Sequence, residues 1–239
     1  MDNAVYASLS RQSGLMREMR VIANNIANAE TTGFRREGVI FAEYLGRTER
    51  AGDSLSMAHA RGRQVDLRPA PMVMTNAPLD LALDGEGFFM VETPQGPALT
   101  RAGAFLLDAD GGVITPDGFR LLDDGGAPIG VPPGAVSLAV GADGTLSADG
   151  EPVARIGTYT VADPADLMHR AGTLFTTRGG AVPVEDARIR QGFLEGSNVD
   201  PMAEMARMIE VQRAYELGQS FLAREDERIR AVVTSMSRQ

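Results

Sequence analysis

The stretch with the strongest claim on chemistry is Asp108-Ala109-Asp110-Gly111-Gly112, because carboxylates at alternate positions ahead of a glycine are how a calcium loop begins. An EF-hand loop starting at Asp108 needs glycine sixth and glutamate twelfth, and the chain has Val113 and Phe119 there. Gly85-Glu86-Gly87 carries two glycines of a dinucleotide fingerprint, but strand-like Phe88-Phe89-Met90-Val91 follows where a helix must open. The two histidines, His59 and His169, have no second ligand at helical spacing, and neither G-x-S-x-G nor H-E-x-x-H occurs. With no cysteine there is no thiol nucleophile, no thiolate metal site and no disulfide. The sequence therefore assigns no catalytic residue, no metal ligand and no cofactor.

What remains is a cluster of amides. Asn24, Asn25 and Asn28 sit at the end of a helical apolar pattern, where each costs about 0.6 kcal/mol against alanine. Asn24 and Asn28 are four apart and share a helix face, with Asn25 beside them. An amide donates and accepts, so such a cluster between packed helices fixes register by hydrogen bonding. The other reading is a helix end that caps itself, with Thr31-Thr32-Gly33-Phe34 as the stop, Gly33 at positive φ and Phe34 packed back on the seam. Both readings stand at this point.

The elements that must hold these amides lie at the two ends of the chain. Val5, Leu9, Met16, Met19, Ala23 and Ile26 recur at helical spacing and predict a first helix with one apolar stripe. Asp200-Pro201 predicts the start of a second, with Asp200 as N-cap and Pro201 at the first helical position. Met205, Met208, Gln212, Tyr215, Leu222, Ile229, Val233 and Met236 carry its pattern almost to the terminus. A helix so long with one apolar seam needs a partner, and the first helix is the obvious one.

Between them the period changes. "FLLDADGGVITPDGFRLL" (105–122) and "SLAVGADGTLSADGEPV" (137–153) resemble each other, each with short apolar runs separated by Asp-Gly turns. "LDLALDGEGFFMVET", "RIGTYTV" and "TLFTT" add further strands. The fold class expected is α+β: terminal helices pairing as a coiled-coil-like layer around an inserted all-β middle domain. The expected divisions are 1–34 for the first helix and its motif, 35–75 for an extended connecting segment with a loop around Arg47–Gly62, 76–187 for the β domain and 188–239 for the long helix region.

Charge follows the same division. Residues 76–187 carry 5 Arg against 16 acids, whereas residues 1–50 and 188–239 are near balance within a net charge of −9. No basic stripe suggests nucleic acid, and no apolar run approaches the roughly 20 residues that span a bilayer. Charges at Arg11, Arg17, Glu18 and Arg20 break up any secretory h-region.

"VIANNIANAETTGFRR" (21–36) closely resembles the N-terminal signature of the bacterial flagellar rod and hook family, and "GFLEGSNVDPMAEMARMIEVQRAYELGQSFL" (192–222) resembles its C-terminal signature. "NAPLDLALDGEGFFMV", "RAGAFLLDADGGVITPDGFRLL" and "IGTYTVADPADLMHRAGTLFTT" are similar to the family's β domain, so the likeness touches nearly the whole chain in order. One departure is Asn28-Ala29-Glu30, where many members have a second Asn and a Val. The length and the opening "MDNAVYASLSRQ" are nearest to proximal-rod members. The resemblance implies a structural subunit, not an enzyme, that is exported unfolded through the flagellar type III apparatus without a cleaved signal. It implies polymerisation with other rod proteins and with copies of itself into a helical tube of the periplasmic basal body, with no nucleic acid and no membrane insertion. The subunit-interface residues it implies are Asn24, Asn25, Asn28, Thr32, Gly33 and Phe34 with Gln212, Arg213 and Tyr215. A distal-rod paralogue and a soluble helical adaptor are the alternative functions.

Overall fold

The computed structural model describes residues 2–47, 54–184 and 187–236. It is α+β, and the chain divides into two units. One is built from the chain up to Ala27, from Glu37–Gln64 and from Asp200 onward; the other from Asn28–Arg36 and Val65–Val199.

The first unit holds helix α1 (Asp2–Ala27), strands β1 (Glu37–Arg47) and β2 (Ser54–Val65), and helix α2 (Pro201–Met236). Asp200 caps α2 as expected: its Oδ1 accepts from the Met202 N–H at 3.0 Å and the Ala203 N–H at 3.2 Å. Helix α1 stops at Ala27, short of the Thr-Thr-Gly-Phe stretch, and a turn follows in which the Thr31 N–H donates to the Asn28 carbonyl. Among the described residues, strands β1 and β2 pair only with each other. They occupy much of the segment expected to be a loop around Arg47–Gly62, and residues 48–53 of that loop lie outside the described residues.

The two helices meet in antiparallel order. Gln12 Nε2 donates to the Tyr215 carbonyl at 3.2 Å, Glu18 pairs with Arg207 at 2.7 Å, and Asn25 Nδ2 donates to Glu204 Oε2 at 3.1 Å. The buried face of α1 is Gly14, Glu18, Val21, Ile22 and Asn25; that of α2 is Glu204 and Val211, with Met208, Tyr215 and Leu222 half-buried. On α1 this is not the stripe the apolar spacing predicts. Leu9, Met16 and Ala23 are exposed, and at about 100° per residue they fall opposite the buried face. The Val5 side chain lies outside the described residues. On α2, Met205, Gln212, Ile229, Val233 and Met236 are likewise exposed, so only part of the predicted seam faces α1. The antiparallel register also carries the end of α2 past the start of α1.

The second unit is β-rich. Strands β3 (Met72–Met74), β4 (Leu81–Asp84), β5 (Phe88–Thr93) and β6 (Gly96–Thr100) come first. They are followed by β7 (Leu106–Leu107), β8 (Val113–Ile114) and β9 (Arg120–Leu121). A meander then runs through β10 (Leu138–Val140), β11 (Thr145–Ala148) and β12 (Glu151–Arg155). The remaining strands are β13 (Thr158–Val161), β14 (Leu167–Ala171), β15 (Leu174–Thr177), β16 (Ala181–Pro183), β17 (Arg188–Gln191) and β18 (Phe193–Glu195). The largest sheet runs β14-β15-β6-β5-β9-β8-β7, and β13 joins it through β5. The two Asp-Gly-rich stretches of the sequence become β7-β8-β9 and β10-β11-β12, each three antiparallel strands joined by two tight turns. Leu81, Phe89, Val91, Leu121, Leu146 and Ile189 fill the larger apolar core, and Phe88, Leu99, Tyr159, Leu167 and Phe175 the smaller. The late strands close the unit on its early ones: β17 pairs with β4 and β18 with β3.

Candidate functional site

Asn25 is wholly buried inside the first unit, in the last turn of α1. Its Oδ1 accepts from the Glu37 N–H at 3.0 Å, and its Nδ2 donates to the Glu37 carbonyl at 2.8 Å and to Glu204 Oε2 at 3.1 Å. One amide thus meets both backbone groups of the first residue of β1, as a neighbouring strand would, and also engages α2. Glu37 is buried too, and its Oε2 accepts from Arg63 Nη1 at 3.2 Å. Farther along the helix pair, Glu18 holds Arg207, whose guanidinium is pushed above its ordinary pKa chiefly by that hydrogen bond.

The other proposed interface residues divide between the two units. Asn24 is half-buried on α1; Gln212 and Arg213 are exposed on α2. Tyr215 is half-buried, with its Oη accepting from Gln219 Nε2 at 3.2 Å. In the β-rich unit, Asn28 Oδ1 accepts from the Thr31 hydroxyl at 3.2 Å, and Thr32 is half-buried. Gly33 has φ +72°, and a Cβ there would stand 2.2 Å from the Ala102 nitrogen. Phe34 is wholly buried, its ring 5.5 Å from that of His169, which also lies 5.1 Å from Phe175.

Three of these assignments need correction. Asn25, Gly33 and Phe34 have almost no surface in the folded chain, so they serve its interior rather than a neighbour. For Asn25 the reason is the pairing with Glu37 and Glu204; for Gly33 and Phe34 it is a fit against Ala102 and His169. Phe34 accordingly packs beside His169 within the β-rich unit.

Sequence reasoning missed Glu18, Glu204 and Val211, and it missed the second face of α2. Met202, Met205 and Ile209 are 72%, 44% and 51% exposed and lie on the side of α2 away from Glu204 and Val211. The spacing of three and then four is the available signal, hidden because Met205 also fits the inward seam that the apolar pattern predicts. Exposed apolar side chains so grouped mark an interaction surface. Among the described residues no group of three or more His, Asp or Glu side chains is placed to hold a metal ion, and no helix is long and apolar enough to cross a membrane.

Comparison with known proteins agrees with the two-ended pattern. Three family models match in chain order: Flagella basal body rod protein over residues 6–35, Flagellar hook protein FlgE/F/G D1 domain over 82–148, and Flagellar basal body rod FlgEFG protein C-terminal over 190–235. The flagellar basal-body rod protein FlgF of Caulobacter vibrioides is 39% identical over 221 residues, covering 90% of each chain. FlgF of Rhizobium meliloti is 35% identical with the same coverage, and the rod protein FlgG of Bacillus subtilis is 30% identical over 98% of each chain. The chain belongs to the flagellar basal-body rod protein family.

Proposed function

We propose that this structural subunit of the flagellar rod occupies the proximal rod and polymerises through its terminal helices. The observation that carries the reading is the second apolar face of α2, Met202, Met205 and Ile209, together with Leu9 and Met16 on the outward face of α1. Each helix has one face engaged within the chain and another apolar face left exposed. Burying Met202, Met205 and Ile209 against neighbours contributes about 1.5–3 kcal/mol per fully covered side chain. A heterologous contact of this kind that does not close into a ring propagates as a helical filament.

In this reading α1 and α2 form a coiled-coil-like layer, and the segments 1–34, 35–75 and 188–239 supply the polymerising part. Asn24, Asn28, Thr32, Gln212, Arg213 and Tyr215 contribute polar contacts to other rod proteins and to copies of the chain. The protein is not an enzyme, reaches the basal body through the flagellar export apparatus and involves no nucleic acid. The proximal position is supported by the likeness of the stretch "MDNAVYASLSRQ" to proximal-rod members.

The test is complementation of a deletion strain with the Met202→Gln/Met205→Gln/Ile209→Gln variant. Export at the wild-type level, absence from purified basal bodies and loss of swimming are expected. Incorporation and motility equal to wild type would overturn the assignment of this face.

A further inference from the structure

Glu195, at the end of β18, is wholly buried and collects donors from three distant parts of the β-rich unit. Arg35 Nη2 donates to Oε1 at 2.7 Å, the Ala70 N–H donates to the same oxygen at 3.0 Å, and Arg101 Nη1 donates to Oε2 at 3.0 Å. Its backbone carbonyl accepts from the Gly33 N–H at 2.8 Å. Three residues on, Asn198 repeats the arrangement. Its Oδ1 accepts from the Arg36 N–H at 2.6 Å, and its Nδ2 donates to the carbonyls of Asp66 and Arg68 at 2.9 and 3.0 Å.

These contacts fall where the chain leaves this unit. The crossings follow Arg36, precede Val65 and follow Val199, besides the one that precedes Asn28. Two side chains on one short segment therefore tie together residues 33–36, 66–70 and 195–198, the roots of β1, β2 and α2.

The cluster is poorly explained as a source of net stability. Two guanidiniums share one carboxylate, leaving an excess buried positive charge. Among the described residues, Arg35 Nε and Nη1 and Arg101 Nε are buried without a hydrogen-bond partner. Burial also pulls Arg101 down to about 10, with Arg35 adding repulsion. An apolar cluster of equal volume would avoid these penalties, but it would not dictate which segments meet. Directional bonds from a single carboxylate do.

We propose that Glu195 and Asn198 form a latch that makes docking of residues 31–36, 66–71 and 193–199 one cooperative event, so that the roots of α2 and of the β1–β2 pair are presented together or not at all. The latch is internal to the β-rich unit and independent of what the exposed face of α2 binds.

Hydrogen exchange read by mass spectrometry on the full-length protein in dilute solution tests it. Asn198→Ala, which removes only bonds to backbone groups, is expected to speed exchange in all three segments by a similar factor, roughly tenfold or more, with β5–β6 and β10–β12 unchanged. Arg35→Met, which leaves the Arg101–Glu195 pair intact, is expected to loosen 66–71 as well as 31–36. The double variant is expected to loosen them little beyond the larger single effect, as members of one unit do. Loosening confined to the mutated segment, or factors that simply multiply in the double variant, would overturn the latch. Global unfolding of Arg35→Met leaves Asn198→Ala to decide by the same criterion, and wild-type protection throughout in that variant would overturn it too.

Discussion

Replacing Asn25 by alanine separates the helix-end reading from the one the structure gives. If the amide served only its own helix, alanine would add about 0.6 kcal/mol of propensity and stabilise the chain. In the structure three bonds are lost instead, two to the backbone of Glu37 and one to Glu204. The Glu37 N–H, the Glu37 carbonyl and the Glu204 carboxylate each lose the bond they make to Asn25, at about 0.5–1.5 kcal/mol for a bond between neutral groups and about 1.5–3 kcal/mol for one to a charged group. A water admitted to the vacated volume recovers part of this, since all three groups point at it. The net expectation is a loss of about 2–5 kcal/mol, concentrated in the first unit. Asn25→Asp controls for shape: it still accepts from the Glu37 N–H but loses both donations and sets a carboxylate against Glu204. It is expected to cost at least as much.

The assay is urea denaturation of the purified chain followed by far-ultraviolet circular dichroism at the helix band, with exchange of the Glu37 amide as a local probe. Wild-type stability, or a gain, in Asn25→Ala would refute the argument, because the lost bonds are expected to outweigh the propensity gain. A consequence for assembly follows. Alanine at Asn24, Asn25 and Asn28 together is expected to damage the free subunit, so its failure to join a rod would say nothing of an interface. The informative variant keeps Asn25 and changes its two neighbours.

Gly33→Ala is expected to cost about 2–5 kcal/mol, combining an unfavourable backbone with overlap against Ala102; a thermal melt within a degree of wild type would contradict this. Asp143→Asn is expected to be nearly silent in stability and swimming, because the exposed side chain keeps an oxygen for the Thr145 N–H and gains a donor toward its hydroxyl; a non-motile strain with normal protein levels would point to a carboxylate function. Asp66, Asp143 and Asp149 are each held below the ordinary carboxylate pKa, by bonds from Arg68, Thr145 and Ser137 in turn. A depressed folded value means stability present above the unfolded pKa near 3.9 and lost as pH falls through the folded one, so their contribution is flat at neutral pH and disappears only in acid. Carboxyl titrations by NMR with midpoints at or above that value would refute the sign.

The β-rich unit was legible because its signals are local. An Asp-Gly pair between apolar runs sets a turn whatever else the chain does, and β7–β9 and β10–β12 came out as two such meanders. Closure of the unit was not legible. β17 pairs with β4 and β18 with β3 across more than a hundred residues, and neither register is written in the composition of the strands. Glu195 was invisible for the same reason: an isolated glutamate before Gly-Ser-Asn looks solvated until Arg35 and Arg101 arrive from elsewhere.

The helix faces failed in a more instructive way. Apolar periodicity finds the side richest in hydrocarbon, and on α1 that side is turned outward. The face engaged within the chain is built from groups that answer one another: Glu18 to Arg207, Asn25 to Glu204, Gln12 to the Tyr215 carbonyl. Directional pairs of this kind fix an antiparallel register that a stripe of methionine and leucine would leave free to slide. The hydrocarbon, which is non-directional and roughly additive in area, suits contacts repeated at many subunits. In a chain that must fold on itself before it joins other rod proteins, polar residues at helical spacing are therefore the better guide to the internal face. Apolar residues at the same spacing are the better guide to the external one. Exchanging the two on α1, with Glu18→Leu and Met16→Glu together, is expected to destabilise the free chain through loss of the Glu18–Arg207 pair and to weaken incorporation into the rod. A variant that keeps both wild-type stability and wild-type incorporation would break the argument.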